Sequence, residues 1–112
     1  MAATCAEIHR DDSGIPHVHA AGFEDLMWGL GYCHAMDRGL QMLLMRLLGR
    51  GQASEFLDAS DATLKIDLFF RRMNWYGGTA DEIGKIPHEA MRLVGAYCDG
   101  ASVNRAPPSA AG

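Results

Sequence analysis

The chain has 112 residues, 48% of them hydrophobic and 21% charged, a globular composition of single-domain size that excludes a low-complexity or disordered protein. Ten Lys plus Arg against fourteen Asp plus Glu leave a net charge of -4 and no basic field, so nucleic acid is not an expected partner. No apolar run approaches the roughly 20 residues that span a bilayer, and the first six residues have neither a basic leader nor an apolar core, so no membrane span or signal peptide is expected and the default compartment is the cytoplasm.

Residues 7–10 and 15–20 are short β-favourable runs around the turn sequence Asp11-Asp12-Ser13-Gly14, which predicts a β-hairpin. Pro16 belongs at the start of the second strand or on an edge. Alternation puts His17 and His19 on one face, suitable for two metal ligands, but the spacing offers no third. Packed or hydrogen-bonding histidines are therefore expected, and no metal ligand is assigned.

From about Phe23 to Leu48 the periodicity is helical, with Glu24 and Asp25 in the first turn, Arg46 in the last and Gly49-Arg50-Gly51 as the stop. Its stripe of Leu26, Leu30, Cys33, Asp37, Leu40, Leu44 and Leu47 is apolar except at Asp37. A carboxylate on a buried face needs a partner, and Arg38, Arg71 and Arg72 are the candidates, giving a structural ion pair rather than a catalytic group. Gly29, Gly31 and Gly39 each cost about 1 kcal/mol relative to Ala inside a helix, which implies close backbone packing or a local break.

A second helix is predicted over about Ser60 to Tyr76, capped by Ser60 or Asp61 and ending before Gly77-Gly78, with Asp67 and Arg71 placed to pair on one face. A third runs from about Pro87 to Cys98. Trp75, Tyr76 and Tyr97 read as core aromatics, with the lining of an acyl-group pocket as the alternative. The small residues and paired prolines of 101–112 predict a loosely attached tail. Cys5, Cys33 and Cys98 are odd in number and lack C-x-x-C spacing, so free thiols are expected; Cys5 has no activating neighbour and is not at the terminus that a nucleophilic role requires.

Glu7-Ile8-His9-Arg10-Asp11, Gly14-Ile15-Pro16-His17-Val18-His19-Ala20, Asp25-Leu26, Gly29-Leu30-Gly31-Tyr32, Ala35-Met36-Asp37-Arg38, Gln41-Met42, Gly51-Gln52-Ala53-Ser54-Glu55-Phe56-Leu57, Asp67 to Arg71-Arg72 and Tyr97-Cys98-Asp99-Gly100 follow one another collinearly. In that order and spacing the chain resembles the opening of the α segment in the penicillin acylase family of N-terminal nucleophile hydrolases. The resemblance spans about residues 6–100, with departures at Met36, Gly39, Leu43 and Asp58 and an unmatched stretch after Gly100.

The resemblance implies an α+β (αββα) fold for the whole enzyme. This piece of it is expected to be mostly α-helical with an N-terminal β-hairpin, residues 1–100 forming the α-segment part and 101–112 the tail. It also implies an amidase made as a self-cleaving zymogen, whose nucleophile is the amino-terminal Ser of a β segment that is the partner of this one. Small-molecule amides are the implied substrates: acyl side chains of β-lactams, as in antibiotic biosynthesis, acyl-homoserine lactones, or lipopeptides. The family commonly binds calcium, mostly through residues outside this segment, so no cofactor is assigned here. No catalytic or substrate-binding residue is assigned within 1–112 either, and by itself the chain is expected to be inactive. Competing readings are a non-catalytic truncated product, a small helical interaction module and, more weakly, a metal-binding hairpin at His17 and His19.

Overall fold

The computed structural model describes residues 6–103, which form, in order, β1 (Ala6–Arg10), β2 (Pro16–Ala20), α1 (Phe23–Gly49), α2 (Ala53–Phe56), α3 (Asp61–Met73), α4 (Thr79–Gly84) and α5 (His88–Val103). The described part is thus mostly helical behind an antiparallel two-stranded hairpin. The described residues group into two units, one comprising residues 6–38 and 87–103 and the other residues 39–86.

The boundary between the units at residue 38 coincides with a break in α1. Arg38 has φ -133° and ψ 23°, outside the helical region, and Gly39 follows it with nothing near the position of its absent side chain. A glycine at this point costs the helix its propensity without any packing return, and glycine sites are where helices bend sharply. The stripe is not continuously buried as expected: Cys33 is 2% exposed, but Leu30 is 38% and Leu40 73% exposed, while Leu44 and Leu47 are half-buried.

In the first unit the hairpin has the register Ala6 to Ala20, Ile8 to Val18 and Arg10 to Pro16. Ala6, Ile8, Val18 and Ala20 are half-buried and the residues between them exposed, as strand alternation requires. Gly29 of α1 lies under Val18 and Ala6. Two residues on, Gly31 faces the carbonyl of Tyr97 in α5, and Gly100 of α5 faces the carbonyl of Trp28 in α1. A Cβ at either glycine would collide with main chain, so this crossing is open only to residues whose Cα can point a hydrogen at the opposing oxygen.

In the second unit Ser60 caps α3 through a reciprocal box with Thr63, and Asn74 ends it in the left-handed conformation with φ 50°. That cap stops α3 at Met73, short of the Tyr76 read from the sequence. Phe69, Phe70 and Trp75 stand edge-to-face to one another, with ring centroids 5.4 to 5.9 Å apart. The short α4 was not anticipated, and α5 runs on to Val103 rather than ending at Cys98. The tail expected beyond it falls, from residue 104, outside the described residues.

Gly31→Ala is expected to destabilise the first unit by about 1 to 3 kcal/mol, because the obstructing atoms are backbone and cannot rotate away. Gly39→Ala, with open space around it, should be neutral or stabilising by up to about 1 kcal/mol. Urea midpoints for the two variants check the contrast.

Candidate functional site

Among the described residues, three polar clusters and an open groove bring charged side chains together. The first cluster is centred on Asp37. Arg10 grips its carboxylate with both ends of the guanidinium, Nη2 donating to Oδ1 at 2.7 Å and Nη1 to Oδ2 at 3.2 Å, while Nη1 also donates to the Gly14 carbonyl at 2.9 Å. One arginine thus joins the hairpin turn to α1 just before its break.

This corrects the sequence reading of Asp37 on two counts. Its partner is Arg10, not Arg38, Arg71 or Arg72, and the pair is not buried, the two side chains being 40% and 39% exposed. Arg38 occupies the non-helical position itself, Arg72 is exposed, and Arg71 is bonded elsewhere. The large penalty for breaking a buried pair does not apply to this one. A signal for Arg10 was present: strand parity sets it on the face of Ala6 and Ile8, which turns toward α1.

The second cluster joins α3 to the turn after α1. Asp67, 5% exposed, accepts from the amides of Ala53 at 2.9 Å and Ser54 at 2.8 Å and from the Ser54 hydroxyl, so it caps α2, whose own N-cap Gln52 makes no side-chain bond. One turn along α3, Arg71 donates from Nε to the Gly51 carbonyl at 2.9 Å. Gly51 has φ +66°, and a Cβ there would press on the Arg71 side chain. Asp67 and Arg71 therefore pair with backbone, not with one another. The Ser54 hydroxyl first, then the Ser54 and Ala53 amides and the Arg71 charge, hold the Asp67 carboxyl below the usual carboxylate range against the opposing effect of burial.

The third cluster is the hairpin turn. Asp11 Oδ1 accepts from the amides of Ser13 and Ile15, and its Oδ2 lies 3.0 Å from His17 Nε2. The groove, about 1010 Å³, lies in the first unit between the start of α1 and α5, with Phe23, Trp28 and Leu93 among its apolar walls and Glu24, Arg92 and Asp99 among its polar ones. Arg92 and Glu24 are ion-paired at 2.8 Å.

The three aromatics considered for an acyl pocket each have separate contacts. Tyr97 hydroxyl pairs with His34 Nδ1 at 2.8 Å, Trp75 packs on Phe69 and Phe70, and the Arg50 guanidinium sits 4.7 Å over the Tyr76 ring. Cys33 is a buried free thiol, its pKa raised mainly by that burial, while Cys98 is free and exposed; Cys5 lies outside the described residues. Among the described residues no three His, Cys, Asp or Glu side chains stand together to hold an ion. No helix of the described residues is long and apolar enough to cross a membrane.

The family profile of penicillin amidase matches residues 5–106. Penicillin acylase 2 proenzyme of Pseudomonas sp. (strain SE83) is 36% identical over 93 residues, which is 83% of this chain and 12% of that protein. The acyl-homoserine lactone acylase QuiP of Pseudomonas syringae pv. syringae is 32% identical over 93 residues, and penicillin G acylase of Escherichia coli 33% over 94, covering 83% and 84% of this chain and 11% of each relative. Among solved structures, the thermostable penicillin G acylase from Alcaligenes faecalis superposes with a TM-score of 0.78 at 28% identity, over 89% of this chain and 52% of that one. The chain therefore spans about one ninth of the length of the curated relatives it matches.

The Asp67 cap sets an acid limit on the second unit. Its folded pKa lies below the unfolded value, so the stability it contributes is full above the unfolded value near 3.8 and is lost as pH falls through the folded one. Circular dichroism against urea at descending pH should show a loss of stability below about pH 4 that Asp67→Asn flattens.

Proposed function

The chain belongs to the penicillin amidase family, and on that premise we propose that it is the amino-terminal part of the α segment of an amidohydrolase that cleaves a linear amide by acyl transfer. The attacking group is the amino-terminal Ser of a β segment made in the same precursor, with preorganised donors of that segment holding the oxyanion. The precursor reading is supported by the name of the Pseudomonas relative, a proenzyme. The substrate class is an acylated small molecule: the acyl side chain of a β-lactam, an acyl-homoserine lactone or a lipopeptide, the first two being the classes for which the relatives are named.

The observation that carries this reading is that the matched residues do scaffold work. Asp37, Asp67 and Arg71 fall in the stretches that resemble the family, and each is bonded to backbone or to another structural side chain. Three hydroxyls follow suit: Ser54 is on Asp67, Ser60 on Thr63, and Ser102 on the carbonyl of Cys98. A nucleophile needs a base free to take its proton, and the one carboxylate among these partners, Asp67, is already held by the Ala53 and Ser54 amides as a helix cap. Large apolar side chains stay open in each unit, Phe23 at 66% in the first and Leu40 at 73%, Met45 at 60% and Phe56 at 60% in the second. Such faces promote association and fit coverage by the β segment.

Residues 1–112 alone are expected to turn over none of a phenylacetyl, glutaryl and long-chain acyl amide panel, to self-associate by light scattering, and to yield a soluble heterodimer when co-expressed with a β segment of the family. Turnover by the purified chain would overturn the assignment of the nucleophile. A protected, cooperative monomer at micromolar concentration would favour an independent interaction module.

A further inference from the structure

The outward face of the hairpin carries side chains that neither the scaffold nor the proposed reaction uses. Glu7, His9, His17 and His19 are all exposed there, in the register His9 to His17 and Glu7 to His19. Asp11 donates its amide to the Ile15 carbonyl, so the next pair inward, Arg10 to Pro16, is a non-hydrogen-bonded one where Pro16 gives up no ladder bond. His9 and His17 then face each other across a hydrogen-bonded pair. The His9 ring stacks on both β2 imidazoles, 5.1 Å and 15° from His17 and 5.5 Å and 4° from His19. The sequence reading saw His17 and His19; the register adds His9.

A second observation concerns which nitrogen of His17 is free. Its Nε2 lies 3.0 Å from Asp11 Oδ2, and a carboxylate can only accept, so that nitrogen carries the proton. In the neutral ring the lone pair is therefore on Nδ1. A carboxylate anchoring one ring nitrogen while the other is free is the arrangement that orients a metal-ligating histidine.

The geometry points to a chelate for a late first-row divalent ion (Zn²⁺, Ni²⁺ or Cu²⁺) on this face, bound by His17 through Nδ1 and by His9 across the strands, with Asp11 as a positioning residue. No three donors among the described residues close on one ion, so water completes the shell. Two nitrogens at zinc bonding distance lie about 3.3 Å apart, which His9, exposed and 5.1 Å from the anchored His17 ring, reaches by rotation of its own side chain. Neutral imidazole suits these ions and not Mg²⁺ or Ca²⁺, and the order of affinity places Cu²⁺ above Zn²⁺.

The test is titration of the full 112-residue chain with Zn²⁺ alone, followed by the imidazole NMR signals. His9 and His17 are expected to shift together while His34 and His88 do not, with Mg²⁺ without effect. His9→Ala, His17→Ala and Asp11→Asn should each weaken Zn²⁺ binding about tenfold or more, the last because the anchoring carboxylate is lost, and His88→Ala should not. Because His17 and His19 are near neighbours in sequence, an unfolded chain could hold an ion through them alone. In strong urea the wild type and His9→Ala should therefore bind alike. Equal affinity of wild type and His9→Ala in the folded chain, a His9 effect that persists in urea, or no shift at His9 and His17 would each overturn the site.

Discussion

Backbone meets backbone where α1 crosses α5, and the first unit is arranged around that contact. Gly29 and Gly31 are two residues apart, about 200° around a helix, so they open opposite sides of α1. One side receives Val18 and Ala6 of the hairpin, the other the carbonyl of Tyr97. Gly100 answers from α5 by admitting the carbonyl of Trp28. Each of the two α1 glycines lowers helix propensity by about 1 kcal/mol, a loss offset by the proximity it allows. A helix with side chains at these positions could not lie between a strand pair and a second helix at this distance.

The charged residues serve the same end by a different route. Arg10 binds a turn carbonyl and the carboxylate of Asp37, Asp11 binds two turn amides, Asp67 two helix-end amides, and Arg71 the carbonyl before that helix. All four supply partners to main-chain groups that turns and helix ends leave unpaired. Groups so committed hold geometry and are poor candidates for moving protons. The family resemblance in these stretches is therefore a likeness of framework, consistent with a division in which the framework and the reacting group come from different segments.

Local chemistry made the hairpin, α1, α3 and α5 readable. The Asp11–Gly14 turn, the Ser60 cap, Pro87 ahead of α5 and the apolar period act within a few residues, and sequence displays such effects directly. The failures are of reach. Asp37 was matched to arginines on helices when its partner was on β1, and Asp67 was paired with Arg71 when each had a backbone partner more than a dozen residues away. Backbone donors carry no sequence label, so a capping carboxylate on one helix for the end of another is invisible without the fold. The break at Arg38 was legible only as a choice, since Gly39 could equally have marked close packing; the open space beside it settles that it marks the break.

Apolar surface is left open on both sides of that break. Beyond Arg38 the stripe of α1 belongs to the second unit, in which Leu40 and Met45 are largely exposed and the buried hydrophobic residue is Ala53. No large side chain among the described residues is fully buried. At about 25 cal/mol per Å² of apolar surface removed from water, a segment that covers such faces stabilises the units it covers, so folding and assembly are linked. In a precursor that segment is tethered to the same chain, and tethering replaces a bimolecular encounter by a high effective concentration. On the proposed reading, a framework fixed by glycine contacts and capped ends but left open on its apolar side is one whose remaining stability comes from the segment that also brings the nucleophile.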